Sequence, residues 1–215
     1  MRKLISIALA ILFAAANVFA QEIRIPDYSS YILTPKAPDT PRINGPKVTG
    51  ATPGADFLYR IPATGVRPMT FAAEGLPKGL RLDEATGIIT GKVRKAGTYK
   101  VTLKAENALG SNEKEIRIVI GDKVALTPPL GWNSWNCWGN SVSQELMESS
   151  AKAMVESGLA DYGWSYVNID DGWQSIRGGE HKAIMPNSKF PDMKALGDYI
   201  HSLGLKFGIY STPWV

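Results

Sequence analysis

The chain of 215 residues is long enough for one large domain or two small ones. Its apolar fraction of 44% and charged fraction of 20% are those of an ordinary globular protein, which excludes a largely disordered chain. The net charge of +4 falls to 4 − 2 = +2 when Arg2 and Lys3, which lie in the segment described next, are left out. Because the remaining basic residues are scattered along the sequence, no nucleic acid is a predicted partner.

The first twenty residues have the pattern of an export signal. Two basic residues precede an almost wholly apolar run from Leu4 to Phe19, and Val18 and Ala20 are small residues at positions −3 and −1 of a cut after Ala20. The run is shorter than the roughly 20 residues that span a bilayer, so a cleaved signal peptide is favoured over an uncleaved membrane anchor. We therefore predict a periplasmic or secreted protein that has no membrane contact after signal cleavage.

No metal, cofactor or internal disulfide is predicted. Cys137 is the only cysteine, and one cysteine cannot form a disulfide within the chain. A buried thiol that packs as a small apolar residue is favoured, and the alternative is a disulfide partner beyond Val215. His181 and His201 are too isolated in the sequence to indicate a metal site. The sequence leaves the oligomeric state open.

Residues 21–54 form a proline-rich segment that leads into the first domain, with prolines at positions 26, 35, 38, 41, 46 and 53. Proline fixes φ and lacks a backbone N–H, so neither a helix nor a central strand fits here. We expect an extended strap that lies along another domain, anchored by the apolar side chains of Tyr28, Tyr31, Ile32 and Leu33.

Residues 55–121 have the period-2 pattern of β-strands. Apolar and polar residues alternate strictly from Thr98 to Ala105, and the apolar positions recur at Ile116, Ile118 and Ile120. Turn residues separate these short segments, as in a β-sandwich with one face of each strand in the core.

The turn-rich stretch Leu76–Gly91 carries the most specific signal in this region. Asp83 is placed to cap its own turn with its side chain, and Gly87 is suited to a positive φ. The pattern resembles the immunoglobulin-like modules of the cadherin-like group, which often occur in bacterial surface and carbohydrate enzymes. This resemblance implies an all-β immunoglobulin-like sandwich over residues 55–121, and a structural spacer is favoured over a sugar-binding module.

After a linker at residues 122–129 the periodicity changes to that of strands joined by helices. The predicted strands are Leu130 to Trp135, Tyr166 to Ile169 and Leu205 to Tyr210; the predicted helices start at Ser143 and at Pro191-Asp192 and end at Gly158 and Gly204. A polar loop is predicted over residues 174–189. This order predicts a parallel sheet with helices on its faces, and the absence of a glycine-rich phosphate-binding loop excludes a nucleotide site.

The predicted carboxyl ends of the three strands carry aromatic and acidic residues: Trp135, then Asp170 and Asp171, then Tyr210 and Trp214. In parallel α/β folds this edge of the sheet binds ligands. An aromatic face stacks on the apolar face of a pyranose, and carboxylates accept hydrogen bonds from neighbouring hydroxyls. Their coincidence favours a sugar pocket over the alternative, in which the acids cap a turn and the aromatic rings pack.

Four segments then occur in order along residues 128–215: Pro129-Leu130-Gly131-Trp132-Asn133-Ser134-Trp135-Asn136, Tyr166-Val167-Asn168-Ile169-Asp170-Asp171-Gly172-Trp173, Phe190-Pro191-Asp192-Met193 and Gly204-Leu205-Lys206-Phe207-Gly208-Ile209-Tyr210. Together they resemble glycoside hydrolase family 27, the α-galactosidase and α-N-acetylgalactosaminidase family. The resemblance implies that residues 130–215 are the start of an α/β (β/α)8 TIM barrel, about its first three strands only.

The same resemblance implies a retaining exo-glycosidase that hydrolyses terminal α-D-galactosides of oligo- or polysaccharides. In such an enzyme one Asp attacks the anomeric carbon, and a second carboxylic acid protonates the leaving oxygen and later activates water. By motif position Trp135 would shape the sugar subsite, Asp170 and Asp171 would bind galactose hydroxyls, and Tyr210 would lie beside the nucleophile. These four are expected substrate-binding residues, and none of them is catalytic.

The family's nucleophile follows the fourth strand in a Lys-x-Asp context and its acid/base lies near the sixth strand, so both are expected beyond Val215. Asp170 and Asp171 do not qualify, because adjacent residues at a strand end point to opposite sides. The two carboxyl groups of a retaining pair face each other across roughly 5–5.5 Å. We therefore expect a fragment that is inactive alone.

Two alternatives stay open at this point. The chain could be a non-enzymatic carbohydrate-binding or structural module, or the parent enzyme could have α-N-acetylgalactosaminidase or β-L-arabinopyranosidase specificity. One residue departs from the family pattern, since many members follow the acid pair with cysteine where this chain has Gly172. A disulfide between the first two strand-end loops is therefore not expected, and the segment 174–189 is expected to be placed differently.

Overall fold

The computed structural model describes residues 29–123 and 125–212. The chain divides into two units, Met1–Lys36 and Ala37–Val215. In the described part of the first, one 3-10 turn spans Ser29–Tyr31, and the side chains of Tyr31, Ile32 and Leu33 are exposed. The predicted signal peptide, Tyr28 and Trp214 lie outside the described residues. No helix within the described ranges is both long and apolar enough to cross a membrane.

The second unit contains the strands β1 Arg42–Ile43, β2 Val48–Ala51, β3 Asp56–Arg60, β4 Ala63–Thr64, β5 Thr70–Glu74, β6 Leu80–Asp83, β7 Ile88–Lys92, β8 Gly97–Asn107, β9 Gly110–Ile120, β10 Gly131–Asn133, β11 Tyr166–Ile169, β12 Gln174–Gly178, β13 Ala183–Pro186 and β14 Lys206–Ile209. Its helices are α1 Trp135–Trp138, α2 Gln144–Glu156 and α3 Met193–Ser202, with 3-10 turns at Gly139–Ser141 and Leu159–Tyr162.

Strands β1 to β9 build a β-sandwich. One sheet has the order β2-β9-β8-β5, the other has the order β3-β7-β6, and β1 pairs with β4. The predicted alternation is confirmed, because Val101, Leu103 and Ala105 of β8 and Ile116, Ile118 and Ile120 of β9 are buried in one core. That core also contains Phe57 of β3 and Ile89 of β7, so it lies between the two sheets.

The turn between β6 and β7 forms as predicted. The Asp83 carboxylate accepts hydrogen bonds from the backbone N–H groups of Ala85 and Thr86, at 2.9 and 3.0 Å. The bond from Thr86, followed by that from Ala85, lowers the pKa of Asp83. Gly87 has φ +72°, and a Cβ at this position would lie 3.1 Å from the Phe71 ring. Glycine therefore satisfies both the backbone conformation and the packing here.

The sandwich begins earlier than the sequence predicts. Strands β1 and β2 fall within residues 21–54, which were expected to be an extended strap, and β2 pairs in parallel with β9 from Val48 opposite Arg117. Pro46 and Pro53 flank β2 without interrupting it, and β2 lies at the edge of its sheet. Proline is compatible with both positions, so a high proline content did not exclude strands here.

Residues 131–209 form a three-stranded parallel sheet in the order β10-β11-β14, with α2 and α3 packed on one face. Val167 and Ile169 of β11 are buried against Met147 of α2 and Leu196 of α3. The predicted helix starts are confirmed, because Ser143 accepts a hydrogen bond from the N–H of Leu146 and Asp192 accepts one from the N–H of Ala195.

Two expectations for this part are wrong. Residues 174–189 are not a plain polar loop, because β12 and β13 pair as an antiparallel hairpin there. Cys137 is not buried, since it lies on the exposed helix α1, which has no buried residue. The short helix begins two residues after β10, and no apolar periodicity in the sequence indicates it.

Tyr59 gives the sandwich a specific sensitivity to alkaline pH. Its side chain is buried at 8% exposure, the hydroxyl has no hydrogen-bond partner among the described residues, and burial raises the pKa of this phenol above its ordinary value of 10.0. As the pH rises, Tyr59 therefore ionises in the unfolded chain before it does so in the folded one. Above about pH 10 the free energy of unfolding falls by up to about 1.4 kcal/mol per pH unit. In urea unfolding at pH 8 and pH 11, Tyr59→Phe should lose less stability than the wild type. Equal losses in the two proteins would contradict this role for Tyr59.

Candidate functional site

The carboxyl ends of β10, β11 and β14 lie side by side at one edge of the parallel sheet. Asn133 is opposite Asn168 in the register, and Ile169 is opposite Ile209. Two backbone hydrogen bonds continue this pairing past the strands, from Ser134 N to Asn168 O at 3.1 Å and from Tyr210 N to Ile169 O at 2.8 Å. Three of the predicted site positions, Trp135, Asp170 and Tyr210, therefore follow neighbouring strands at the same edge.

Ser134 connects the first of these strand ends to the second. Its side chain is fully buried, and its hydroxyl oxygen accepts a hydrogen bond from the backbone N–H of Asp170 at 3.0 Å. With the bond from its own N–H to Asn168, Ser134 holds the β11 end on both sides of Ile169. The position of Asp170 thus depends on a residue of the Gly-Trp-Asn-Ser-Trp segment that sequence reasoning did not select.

Asp170 and Asp171 combine turn formation with free acceptor capacity. The Oδ1 atom of Asp170 accepts the N–H of Asp171 at 2.7 Å, and the Oδ1 atom of Asp171 accepts the N–H of Gly172 at 2.9 Å. The turn-capping alternative is thus correct for one oxygen of each carboxylate. No Lys or Arg within the described ranges pairs with either acid, and Asp170 is half-buried while Asp171 is exposed. Both second oxygens remain able to accept hydrogen bonds from a ligand.

The two aromatic side chains at this edge are unusually exposed for their size, Trp135 at 45% and Tyr210 at 40%. Trp135 is the first residue of α1 rather than the end of a strand. Its backbone N–H donates to the side-chain oxygen of Asn133 at 2.9 Å. Large aromatic side chains with an open face beside carboxylates are the groups that a sugar ring requires for stacking and hydrogen bonding.

Trp173 links the second strand end to the third. Its indole N–H donates to the carbonyl oxygen of Tyr210 at 2.8 Å, and the side chain is 6% exposed. Its own carbonyl accepts the N–H of Asn187, whose side chain donates to the carbonyl of Gly172 at 2.8 Å. Trp173 is therefore a positioning residue for Tyr210 and for the turn after Asp171, and only its place after the acid pair could have indicated it.

The sheet face opposite the helices is polar. In β11 the buried residues Val167 and Ile169 alternate with Tyr166 and Asn168, which share the other face, and Asp170 follows the strand. The Asn168 amide donates to the carbonyl of Trp132 in β10 at 3.1 Å, and its oxygen would lie 1.9 Å from a Cβ at position 208 in β14. Gly208 thus leaves the space that Asn168 occupies, and Asn168 spans all three strands directly below the acid pair.

The loops after β10 and β11 touch at Gly172. This residue has φ +95°, and a Cβ at its position would lie 3.2 Å from the Asn140 side-chain oxygen. The Lys189 ammonium donates to the Asn140 carbonyl at 2.5 Å. Close packing at Gly172 and the hydrogen bond from the Asp170 N–H to the Ser134 hydroxyl therefore hold these two loops together, and Lys189, which follows β13, adds its bond to Asn140.

Within residues 29–123 and 125–212, no three His, Cys, Asp or Glu side chains come together in a group suited to a metal ion. The chemistry that the described site supports is hydrogen bonding by two carboxylates and stacking by two aromatic rings. Its two acids are adjacent in the chain, and the Asp170 carboxylate accepts the backbone N–H of Asp171.

Two family models match separate segments of this chain. The family model described as Alpha galactosidase A matches residues 127–213, and a model for an Ig domain matches residues 40–121. The second match includes β1 and β2, in agreement with the early start of the sandwich. An α-galactosidase from Coffea arabica is 42% identical over 104 residues, which are 47% of this chain and 28% of that protein.

Two crystal structures from Bacteroides fragilis, both provisionally named as α-galactosidases, overlay on most of this chain. The overlay with one has a TM-score of 0.77 and 52% sequence identity, and it covers 80% of this chain and 37% of the Bacteroides chain. The overlay with the other has a TM-score of 0.79 and 47% sequence identity, and it covers 84% of this chain and 39% of that Bacteroides chain. This chain thus spans less than two fifths of the length of each of these three proteins.

Proposed function

Since residues 127–213 carry the pattern of the α-galactosidase family, we propose that this chain is the amino-terminal part of a retaining exo-α-galactosidase. The observation that carries the proposal is the convergence of Trp135, Asp170 and Tyr210 at one edge of the parallel sheet, with Asp171 beside them. The substrate class is the terminal α-D-galactosyl group of an oligo- or polysaccharide.

In this proposal β10, β11 and β14 are the first three strands of a (β/α)8 barrel that continues beyond Val215. Two observations support it. Among the described residues, no strand pairs with the outer edge of β14, and Ile209 is 47% exposed; a fourth strand and its helix would cover both. Asp170 follows the carboxyl end of β11, and the carboxyl ends of the strands are where such barrels have their active sites.

The residues divide their work by position in the fold. Trp135 and Tyr210 border the sugar ring, and Asp170 and Asp171 each offer a carboxylate oxygen to its hydroxyls. Ser134 and Trp173 hold Asp170 and Tyr210 in place. The nucleophile and the acid/base lie in the part of the enzyme after Val215, so this part of the chain binds the substrate and does not cleave it.

Export belongs to the same proposal. Residues 1–20 act as a signal peptide cut after Ala20, and the mature enzyme works in the periplasm or outside the cell. An extracellular location suits an enzyme whose substrates are oligo- and polysaccharides.

The test begins with the coding sequence beyond the codon for Val215, where we expect a fourth apolar strand that ends in Lys-x-Asp and a further acid downstream. The purified full-length protein should then hydrolyse 4-nitrophenyl α-galactoside, with retention of the anomeric configuration by ¹H NMR. The matched controls are the β-galactoside, the α-N-acetylgalactosaminide and the β-L-arabinopyranoside. Preference for one of the last two would change the specificity, and a stop codon directly after Val215 would overturn the hydrolase proposal.

A further inference from the structure

The sandwich contacts the parallel sheet at the edge opposite the candidate site. Its contacts are with the 3-10 turn Leu159–Tyr162, which lies shortly before β11, and with Leu203 and Gly204, which come shortly before β14. Both segments lead into the amino ends of strands. The carboxyl ends of the same strands carry Asp170 and Tyr210, so the contacts named here lie at the edge of the sheet opposite the candidate site.

Asp161 is the centre of the interface. Its carboxylate pairs with Arg67 at 2.9 Å and with Arg60 at 3.6 Å, and its backbone carbonyl accepts a hydrogen bond from the Asn44 side chain at 2.9 Å. Arg60 also donates to the carbonyl of Leu203 at 3.3 Å, so one side chain reaches both segments that precede strands.

These charges are partly withdrawn from water. The side chains of Arg60 and Asp161 are 17% and 21% exposed, and burial lowers the pKa of Arg60 while the Asp161 charge opposes that shift. An ion pair at this depth differs from a surface pair, because removal of one partner leaves the other buried without its counter-charge. The network therefore links the stability of the sandwich, residues 42–120, to that of the α/β part, which is the parallel sheet with its helices at residues 131–209.

The two surfaces also fit closely at backbone level. A Cβ at Gly163 would lie 3.2 Å from the Cα atom of Gly45, and one at Gly204 would lie 2.9 Å from Cβ of Arg60 and 3.0 Å from Ile88. Both glycines have a positive φ, +105° and +77°. A larger residue at either position would separate the surfaces, so the contact is built into the turns before β11 and β14.

The same arrangement occurs in other proteins. The two matched segments, residues 40–121 and 127–213, are each shorter than half of the chain. An overlay that covers 80% or 84% of the chain with a TM-score of 0.77 or 0.79 must therefore include both parts in similar relative positions. A binding module on a flexible tether would not keep one position relative to its neighbour.

From these observations we propose that the sandwich is a brace for the α/β part. It covers the amino-terminal edge of the parallel sheet, fixes the turns that lead into β11 and β14, and takes no part in sugar binding. The inference rests on the contacts around Asp161 and does not depend on the proposed hydrolase activity.

The decisive variant is Asp161→Asn in the full-length protein, which removes one charge and keeps the shape and the backbone hydrogen bond to Asn44. In scanning calorimetry we expect the transition of the α/β part to fall by roughly 4–8 °C and to separate from that of the sandwich. In hydrogen exchange, amides at residues 164–166 and 204–206 should exchange at least about tenfold faster. Cleavage of a small substrate at 25 °C should stay within about twofold of the wild type.

Two further variants provide the comparison. Lys194→Ala removes an ion pair with Asp198 on the exposed face of α3, whose side chains are 83% and 62% exposed, and should shift the transition by less than about 1 °C. Arg67→Ala, at a side chain that is 41% exposed, should have an intermediate effect and decides the test if Asp161→Asn does not fold.

The calorimetric and exchange measurements need no activity, so they stay informative if the protein is not a hydrolase. A transition temperature and exchange rates equal to those of the wild type in Asp161→Asn and Arg67→Ala would overturn the brace. Weaker binding of either variant to an insoluble galactan with an unchanged transition would overturn it too, and would assign the sandwich to sugar binding.

Discussion

Asp171→Asn in the full-length enzyme is expected to lower kcat/KM for α-galactosides on the order of 100-fold and to change the melting temperature by less than about 1 °C. The carboxylate is exposed and accepts only the N–H of Gly172 among the described residues, so it contributes little to stability. An amide in its place loses the charge that strengthens hydrogen bonds from sugar hydroxyls. Two such bonds are together worth about 3 kcal/mol, which corresponds to this factor.

The matched control is Glu156→Gln, which neutralises a carboxylate that is 64% exposed at the carboxyl end of α2. It should leave both kcat/KM and melting temperature unchanged. Steady-state kinetics with 4-nitrophenyl α-galactoside and calorimetry on the same preparations separate the two effects. An unchanged kcat/KM in Asp171→Asn would remove this residue from the pocket, and a large fall in melting temperature would make its role structural.

The second large effect concerns the 215-residue chain produced by itself, which we expect to self-associate and to lack cooperative structure after residue 130. Among the described residues, the sheet β10-β11-β14 ends at β14 with no strand on its outer edge, and Ile209 of β14 and the following Tyr210 are 47% and 40% exposed. Open parallel edges with apolar side chains pair with other chains. The sandwich has its own core and should keep protected amides, whereas those of β11 and β14 should exchange rapidly.

Light scattering after gel filtration and hydrogen exchange test this expectation. Ile209→Lys places a charge on the open edge and should reduce self-association of the 215-residue chain without ordering its sheet. A monomeric chain with a single cooperative transition over both parts would show that the three strands need no continuation. It would count heavily against the proposal that the chain is a fragment.

The structure also changes which part of the protein an engineer would remove. An immunoglobulin-like module ahead of an enzyme is easily taken for a detachable accessory. Here its contact through Asp161 and the glycines at positions 163 and 204 makes it part of the support for the parallel sheet. Deleting it would uncover the surface around Trp164 and Leu205, which line a cavity of about 280 Å³ between the two parts.

Local patterns along the sequence predicted several elements of the sandwich and of the parallel sheet with its helices. The alternation in β8 and β9 places three or more apolar side chains per strand in one core, and Asp83 with Gly87 defines the turn between β6 and β7. Ser143 and Asp192 begin their helices because each side chain bonds a backbone N–H three residues later. Such signals are readable because cause and effect lie within a few residues of each other.

The sequence also determined which residues follow the strands, and hence the predicted edge with Trp135, Asp170, Asp171 and Tyr210. The predictions from the sequence were wrong for segments whose structure depends on a place at a sheet edge or on strand pairing. Proline-rich residues before position 55 form β1 and β2 because an edge strand tolerates nearby prolines, and residues 174–189 pair as a hairpin although their composition is polar.

Only the tertiary structure decided how these groups are held. Ser134 meets the N–H of Asp170 36 residues later, Trp173 meets the carbonyl of Tyr210 37 residues later, and Arg67 meets Asp161 94 residues later. No periodicity or motif relates such partners. The first two contacts depend on the parallel register of the sheet, and the third depends on how the sandwich packs against it. The sequence by itself predicted the candidate binding groups, while chain packing over long separations decided which residues support them and where the sandwich contacts the parallel sheet.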